Sequence, residues 1–127
     1  DVVGEIGEFL KQRIDFAGGG GVAIDKIIVD PGIGFGKTLD HNVEIFRRLR
    51  ELEGLGRPVM VGHSRKSMWG ALLGGVGPEE RMEGTLVGAL AAAASGVQIL
   101  RVHDVGAVVK TLKVADAIYG KGKVSVK

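Results

Sequence analysis

The chain has 127 residues, 45% hydrophobic and 25% charged, enough for one domain with a modest core and too few for two. A net charge of only +2, with three lysines in the tail 121–127, and 5% aromatic residues exclude a nucleic-acid binder that would need a basic face with interleaved rings. The absence of cysteine removes disulfides, thiolate zinc sites and cysteine nucleophiles, and suits a reducing cytoplasm.

The most apolar stretch, residues 86–94, is about half the length of a membrane span, so no membrane partner is expected. The opening DVVGEIGEFL carries acids and lacks the basic start of a signal peptide. Val2, Val3, Ile6, Phe9, Leu10 and Ile14 recur at helical spacing and predict an amphipathic helix ended by the glycines at 18–21. KIIVD at 26–30 is a short, β-branched run bounded by Pro31-Gly32, the pattern of a buried strand. Val43, Phe46, Leu49 and Leu52 then predict one face of a second helix. VMVG at 59–62 is a second strand, followed by a short helical piece at 68–73.

Pro78 with Glu79 and Glu80 starts an alanine-rich helix that stops near Gly96, with proline and acids suited to a first turn. Residues 98–102 form a third strand. Asp104 is expected to cap a last helix carrying Val105, Val108, Leu112, Ala115 and Ile118, which Gly120 ends. One helix and three βα units give an α/β fold with parallel strands and right-handed crossovers. Three strands are too few to close a barrel and leave two raw edges.

VDPGIGFGKTLDHN at 29–42 resembles a phosphate loop, but neither phosphate motif fits. A P-loop requires glycine where Pro31 stands. A dinucleotide fingerprint starting at Gly32 and Gly34 requires its third glycine where Lys37 stands.

The chemistry collects in three segments just past strand ends, the rim on which parallel α/β proteins build active sites. These are Asp30 with its glycine loop, Ser64-Arg65-Lys66-Ser67, and Arg101-Val102-His103-Asp104. Singly they read as a cap, a solvated turn and a surface edge; their convergence favours a site. Arg101 and His103, two apart on a strand, share a face, and together offer an anion a bidentate fork and an imidazole donor. No metal site is expected, because His41 and His63 have no ligand spacing around His103. Ser67 stands at a helix N-terminus suited to a carboxylate or phosphate. Asp30 paired with Lys66 suits a heterocycle with an amidine-like edge. The glycine loop provides close backbone approach and a flexible lid, with Phe35 as a stacking platform.

DPGIGFGKT, HN, GHSRKS, PEERMEGTL and RVHDV, in this order, resemble the C-terminal signatures of the dihydropteroate synthase family, across essentially the whole chain. The resemblance implies that residues 1–127 are a single partial domain, the last three strands of a TIM (β/α)8 barrel. It implies a transferase of folate biosynthesis. That family condenses 6-hydroxymethyl-7,8-dihydropterin diphosphate with 4-aminobenzoate to give 7,8-dihydropteroate and diphosphate, and sulfonamides compete with the aminobenzoate. Carried over by position, Asp30, Gly62 and Lys66 resemble pterin-binding residues, and Arg101 and His103 the pair that holds the diphosphate. Ser67 and Phe35 resemble the aminobenzoate seat, and Lys66, Arg101 and His103 the catalytic group. The resemblance also implies Mg²⁺, whose protein ligand falls outside this chain, and a homodimer. Because the family's early loops are missing, the isolated chain is expected to be inactive. A noncatalytic half-barrel that binds pterin or self-associates is the alternative, and a pterin-binding methyltransferase is disfavoured by SRKS with RVHD.

Overall fold

A computed structural model of the chain describes residues 1–120; the basic tail at 121–127 lies outside the described residues. The helical expectations are met at both ends of the chain. Helix α1, Val2–Gly19, starts where the Asp1 carboxylate accepts the Gly4 N–H and buries Val3, Leu10 and Ile14. Helix α5, Val105–Tyr119, ends at Gly120 in the left-handed half of the map and buries Val108 and Ala115. Between them lie α2, Leu39–Arg47, α3, Ser67–Leu72, and α4, Met82–Ala94, which packs along α5.

The second helix is shorter than its periodicity predicts. It ends at Arg47, and Leu49–Leu55 continues as a 3₁₀ helix that buries Leu49 and Leu52. A repeat of three residues per turn keeps Leu49, Leu52 and Leu55 on one side, so the tighter winding delivers all three to the core.

The sheet has two parallel strands, β1, Met60–Val61, and β2, Ile99–Leu100, paired Met60 with Ile99 and Val61 with Leu100. The strand expected at 26–30 is reduced to one parallel bridge, Val29 to Val59, after a 3₁₀ turn at Ile24–Lys26. Its register explains the loss. Val29 N–H donates to the Pro58 carbonyl and Met60 N–H to the Val29 carbonyl. One step back the ladder needs an N–H from Pro58, and one step forward an N–H from Pro31; proline has neither. Only one side of this segment is paired, and Ile28 beside it is 52% exposed, as expected of a raw edge.

Trp69 fixes the position of α3. Its Nε1 donates to the His63 carbonyl at 2.8 Å, and its ring meets Phe46 and His63 edge-on. It fits against α4 because Gly84 and Gly88 lack side chains: a Cβ at 84 would lie 2.5 Å from the Trp69 Cβ, and one at 88 would lie 2.6 Å from Cζ2. No described helix is long and apolar enough to cross a membrane.

Candidate functional site

The parallel register sets the site's location. Asp30 follows the bridge residue Val29, Gly62 follows β1, and Arg101 follows β2. All three therefore leave the sheet at the same end. Arg101 and His103 lie past the end of β2 rather than within a longer strand, and both are exposed. The Arg101 Cβ stands 3.9 Å from where a Cβ on Gly62 would be, so these two residues are neighbours across the pair.

The glycine loop is framed by hydrogen bonds from within. Asp30 Oδ1 accepts the Gly32 N–H at 2.7 Å. The buried Asn42 accepts the Gly34 N–H at 2.8 Å and donates to the Thr38 carbonyl at 2.8 Å. Lys37 Nζ donates to the carbonyls of Gly32, at 2.9 Å, and Phe35, at 3.1 Å. The lysine of the apparent phosphate motif is thus spent on its own loop. Gly34, at φ +81°, also gives room to Lys66, whose Cδ would be 3.1 Å from a Cβ there. A side chain at 34 would meet both penalties.

Lys66 does not pair with Asp30. Its Nζ lies 3.9 Å from the centroid of Phe35, a ring that is 69% exposed. The exposed aromatic face offers the ammonium an attractive surface. Ser67 begins α3 and lines, with Gly34, Lys37, Asn42 and Met68, a cavity of ≈ 170 Å³. A wider cleft of ≈ 420 Å³ separates Asp30, Pro31 and Gly32 from Ile6 and Phe9 of α1. A separate recess, ≈ 670 Å³, lies between Asp1, Leu39, His41 and Arg48 and includes none of the rim residues.

The second and third segments are joined by contacts that sequence reading missed. Ser64, 6% exposed, accepts the His103 backbone N–H at 3.2 Å, and its Oγ lies 2.9 Å from His103 Nδ1. Arg65 grips Asp104 with Nε at 3.0 Å and Nη2 at 2.8 Å. Asp104 therefore begins α5 without a side-chain cap bond. Its carboxyl is held below the usual carboxylate range, first by hydrogen bonding from Arg65, and Arg65 is raised in turn by the same bond. Arg65 is the only described non-glycine residue at positive φ, +56°. Its N–H donates to Thr85 Oγ1 at 3.0 Å, and its carbonyl accepts from Arg81 Nη1 at 2.9 Å. These bonds hold a conformation that an L-residue otherwise avoids.

His63 underlies the rim as a core residue. It is fully buried, and Nε2 pairs with the Thr85 carbonyl at 2.9 Å while Nδ1 has no partner. Burial pushes its pKa below the ordinary histidine value, more than the bond to the Thr85 carbonyl raises it. The only sequence signal for Ser64, Arg65 and Asp104 was their place at strand ends. Nothing in their spacing announced which would pair. Among the described residues no group of three or more His, Asp or Glu converges on a metal position.

Three comparisons bear on this rim. The family model described as pterin binding enzyme matches residues 1–103. The dihydropteroate synthase of Synechocystis sp. is 45% identical over 119 residues, covering 94% of this chain and 41% of the relative. Two solved structures of Xanthomonas albilineans dihydropteroate synthase, one with 7,8-dihydropteroate and one with 4-aminobenzoic acid, each superpose with TM-score 0.90 at 43% identity. Each covers 93% of this chain, and 45% and 43% respectively of the solved chains. The chain thus spans less than half the length of the relatives it matches. A match over most of its residues, running through the glycine loop and both cationic segments to His103, leads to one conclusion: the chain belongs to the pterin binding enzyme family.

Proposed function

We propose that this chain carries the last three strand-end segments of a dihydropteroate synthase, and that its rim is part of the synthase site. The observation that carries the reading is the contact of all three segments at one end of the sheet. Lys66 meets the glycine loop through Phe35, and Ser64 meets His103. The α/β architecture with parallel pairing fits the closing units of a (β/α)8 barrel, with segment 26–30 as the strand that lacks its outer neighbour.

In this reading Asp30 receives the amino-pyrimidine edge of the pterin. Its Oδ1 already holds the Gly32 N–H, which fixes the carboxylate and leaves lone pairs for two ligand N–H groups. Lys66 leaves the Phe35 face to contact the pterin above Gly62, and the vacated ring lines the aminobenzoate pocket beside Ser67. The bond between the pterin methylene carbon and the diphosphate oxygen breaks, and its electron pair leaves with diphosphate. Arg101, with His103, meets that growing negative charge with preorganised donors. The aminobenzoate nitrogen then forms the new C–N bond and gives up a proton. No covalent enzyme intermediate is needed.

Sulfonamides would compete at the Phe35 and Ser67 end. A cytoplasmic setting agrees with the cysteine-free composition. Self-association belongs to the same reading, and exposed Val87 on α4 with Val105, Val109 and Ile118 on α5 supplies apolar surface for it. The test is dihydropteroate formation from the two substrates, by the chain alone and with the N-terminal portion of a relative added. Activity only in the mixture is expected. Pterin binding without activity in either case would favour a noncatalytic half-barrel.

A further inference from the structure

We infer that Ser64 is a positioning residue for His103, fixing the ring as its Nε2–H tautomer so that this N–H faces the leaving diphosphate; the diphosphate part rests on the synthase reading. The argument starts from the ladder. Arg101 N–H donates to the Val61 carbonyl at 3.0 Å, so the same register would send His103 N–H to the carbonyl of His63. That carbonyl is already taken by Trp69 Nε1, at 2.8 Å, and by the Lys66 N–H, at 3.3 Å. His103 N–H turns instead to Ser64 Oγ.

A serine hydroxyl has one hydrogen and two lone pairs. The backbone N–H of His103 uses a lone pair, so the hydroxyl hydrogen is free to be donated. Its one partner among the described residues is His103 Nδ1, 2.9 Å away. An Nδ1 that accepts is unprotonated, and the ring proton of the neutral imidazole then sits on Nε2, since the bond made by one nitrogen sets the state of the other. The opposite tautomer would turn a lone pair toward the anion in place of a donor. Ser64 is buried, and both of its hydroxyl bonds go to this single residue. That is more than closing a frayed strand end requires.

The experiment uses protein labelled with ¹⁵N in its histidine rings, with tautomers read by NMR at alkaline pH. Inorganic diphosphate binding is measured by calorimetry on the same samples. The expected result is Nε2–H for His103 in the unaltered protein. Ser64→Ala should give mixed tautomers and diphosphate affinity lower by roughly 2- to 10-fold, the scale of one ordinary hydrogen bond. Ser64→Thr, which keeps the hydroxyl, should restore both. An Nδ1–H ring in the unaltered protein overturns the inference without any variant, even if Ser64→Ala fails to fold. An unchanged tautomer in folded Ser64→Ala overturns it equally. His103→Ala separates the two levels. If it weakens diphosphate binding and Ser64→Ala does not, the positioning role alone fails; if it leaves binding unchanged, the diphosphate reading fails and takes this inference with it.

Discussion

Gly88→Ala adds one methyl group and tests whether α4 is shaped around the residues beneath the rim. The new Cβ would lie 2.6 Å from Trp69 Cζ2 and 2.8 Å from His63 Cδ2, about 1 Å inside ordinary carbon contact. Neither ring can turn away freely. Trp69 is tied to the His63 carbonyl at 2.8 Å, and His63 to the Thr85 carbonyl at 2.9 Å. Overpacking costs about 1–3 kcal/mol, and straining one of these hydrogen bonds adds roughly 0.5–1.5 kcal/mol. The gain in helix propensity from glycine to alanine returns about 1 kcal/mol. The net expectation is destabilisation of about 0.5–3.5 kcal/mol, read from urea midpoints at constant slope. Gly7→Ala in α1 is the control. Its Cβ would meet nothing within 4 Å, so propensity alone should stabilise by about 0.5–1 kcal/mol. If Gly88→Ala is as stable as the parent while Gly7→Ala behaves as expected, the packing argument is wrong.

Arg101→Ala should weaken inorganic diphosphate binding by about 1.5–3 kcal/mol, the scale of a charge-assisted hydrogen bond; calorimetry showing no change would remove the clamp. Asp30→Asn keeps an oxygen for the Gly32 N–H, so the loop should survive. Pterin binding should fall while diphosphate binding stays, and equal loss of both would refute the division of labour. Burial lowers the pKa of His63, so the unfolded chain binds the proton more readily than the folded one. This stability is present above the ordinary value of about 6.5 and is lost as pH falls toward the folded pKa; His63→Gln should flatten that part of a stability–pH profile. Asp104 is lowered by Arg65, so its contribution is present above the ordinary carboxylate range and disappears as pH falls through its folded pKa. Asp104→Asn should remove that acid limb, and an unchanged profile would mean the pair contributes nothing measurable.

Much of this protein was written in its local patterns. Apolar residues at 3, 10 and 14 sit on one side of α1 because helical periodicity leaves them nowhere else, and Gly120 stops α5 where a left-handed residue is needed. The three polar segments followed strand ends because a parallel βα order sends every loop of that kind to one rim. The partners of side chains were not legible. Asp104 has the look of a cap, yet Arg65, 39 residues earlier, takes its carboxylate. Lys66 suits Asp30 on charge, yet lies on Phe35. Nor did the glycine-rich loop announce that Asn42 and Lys37 would bond to its backbone. Even the first strand was lost through a relation between distant residues, because Pro58 and Pro31 remove ladder donors only once the register brings Val29 beside Val59. Periodicity and turn chemistry act over a few residues, and so sequence determined most of the elements and their order. Pairing depends on which groups meet across the sheet after folding, and that the tertiary structure alone decided.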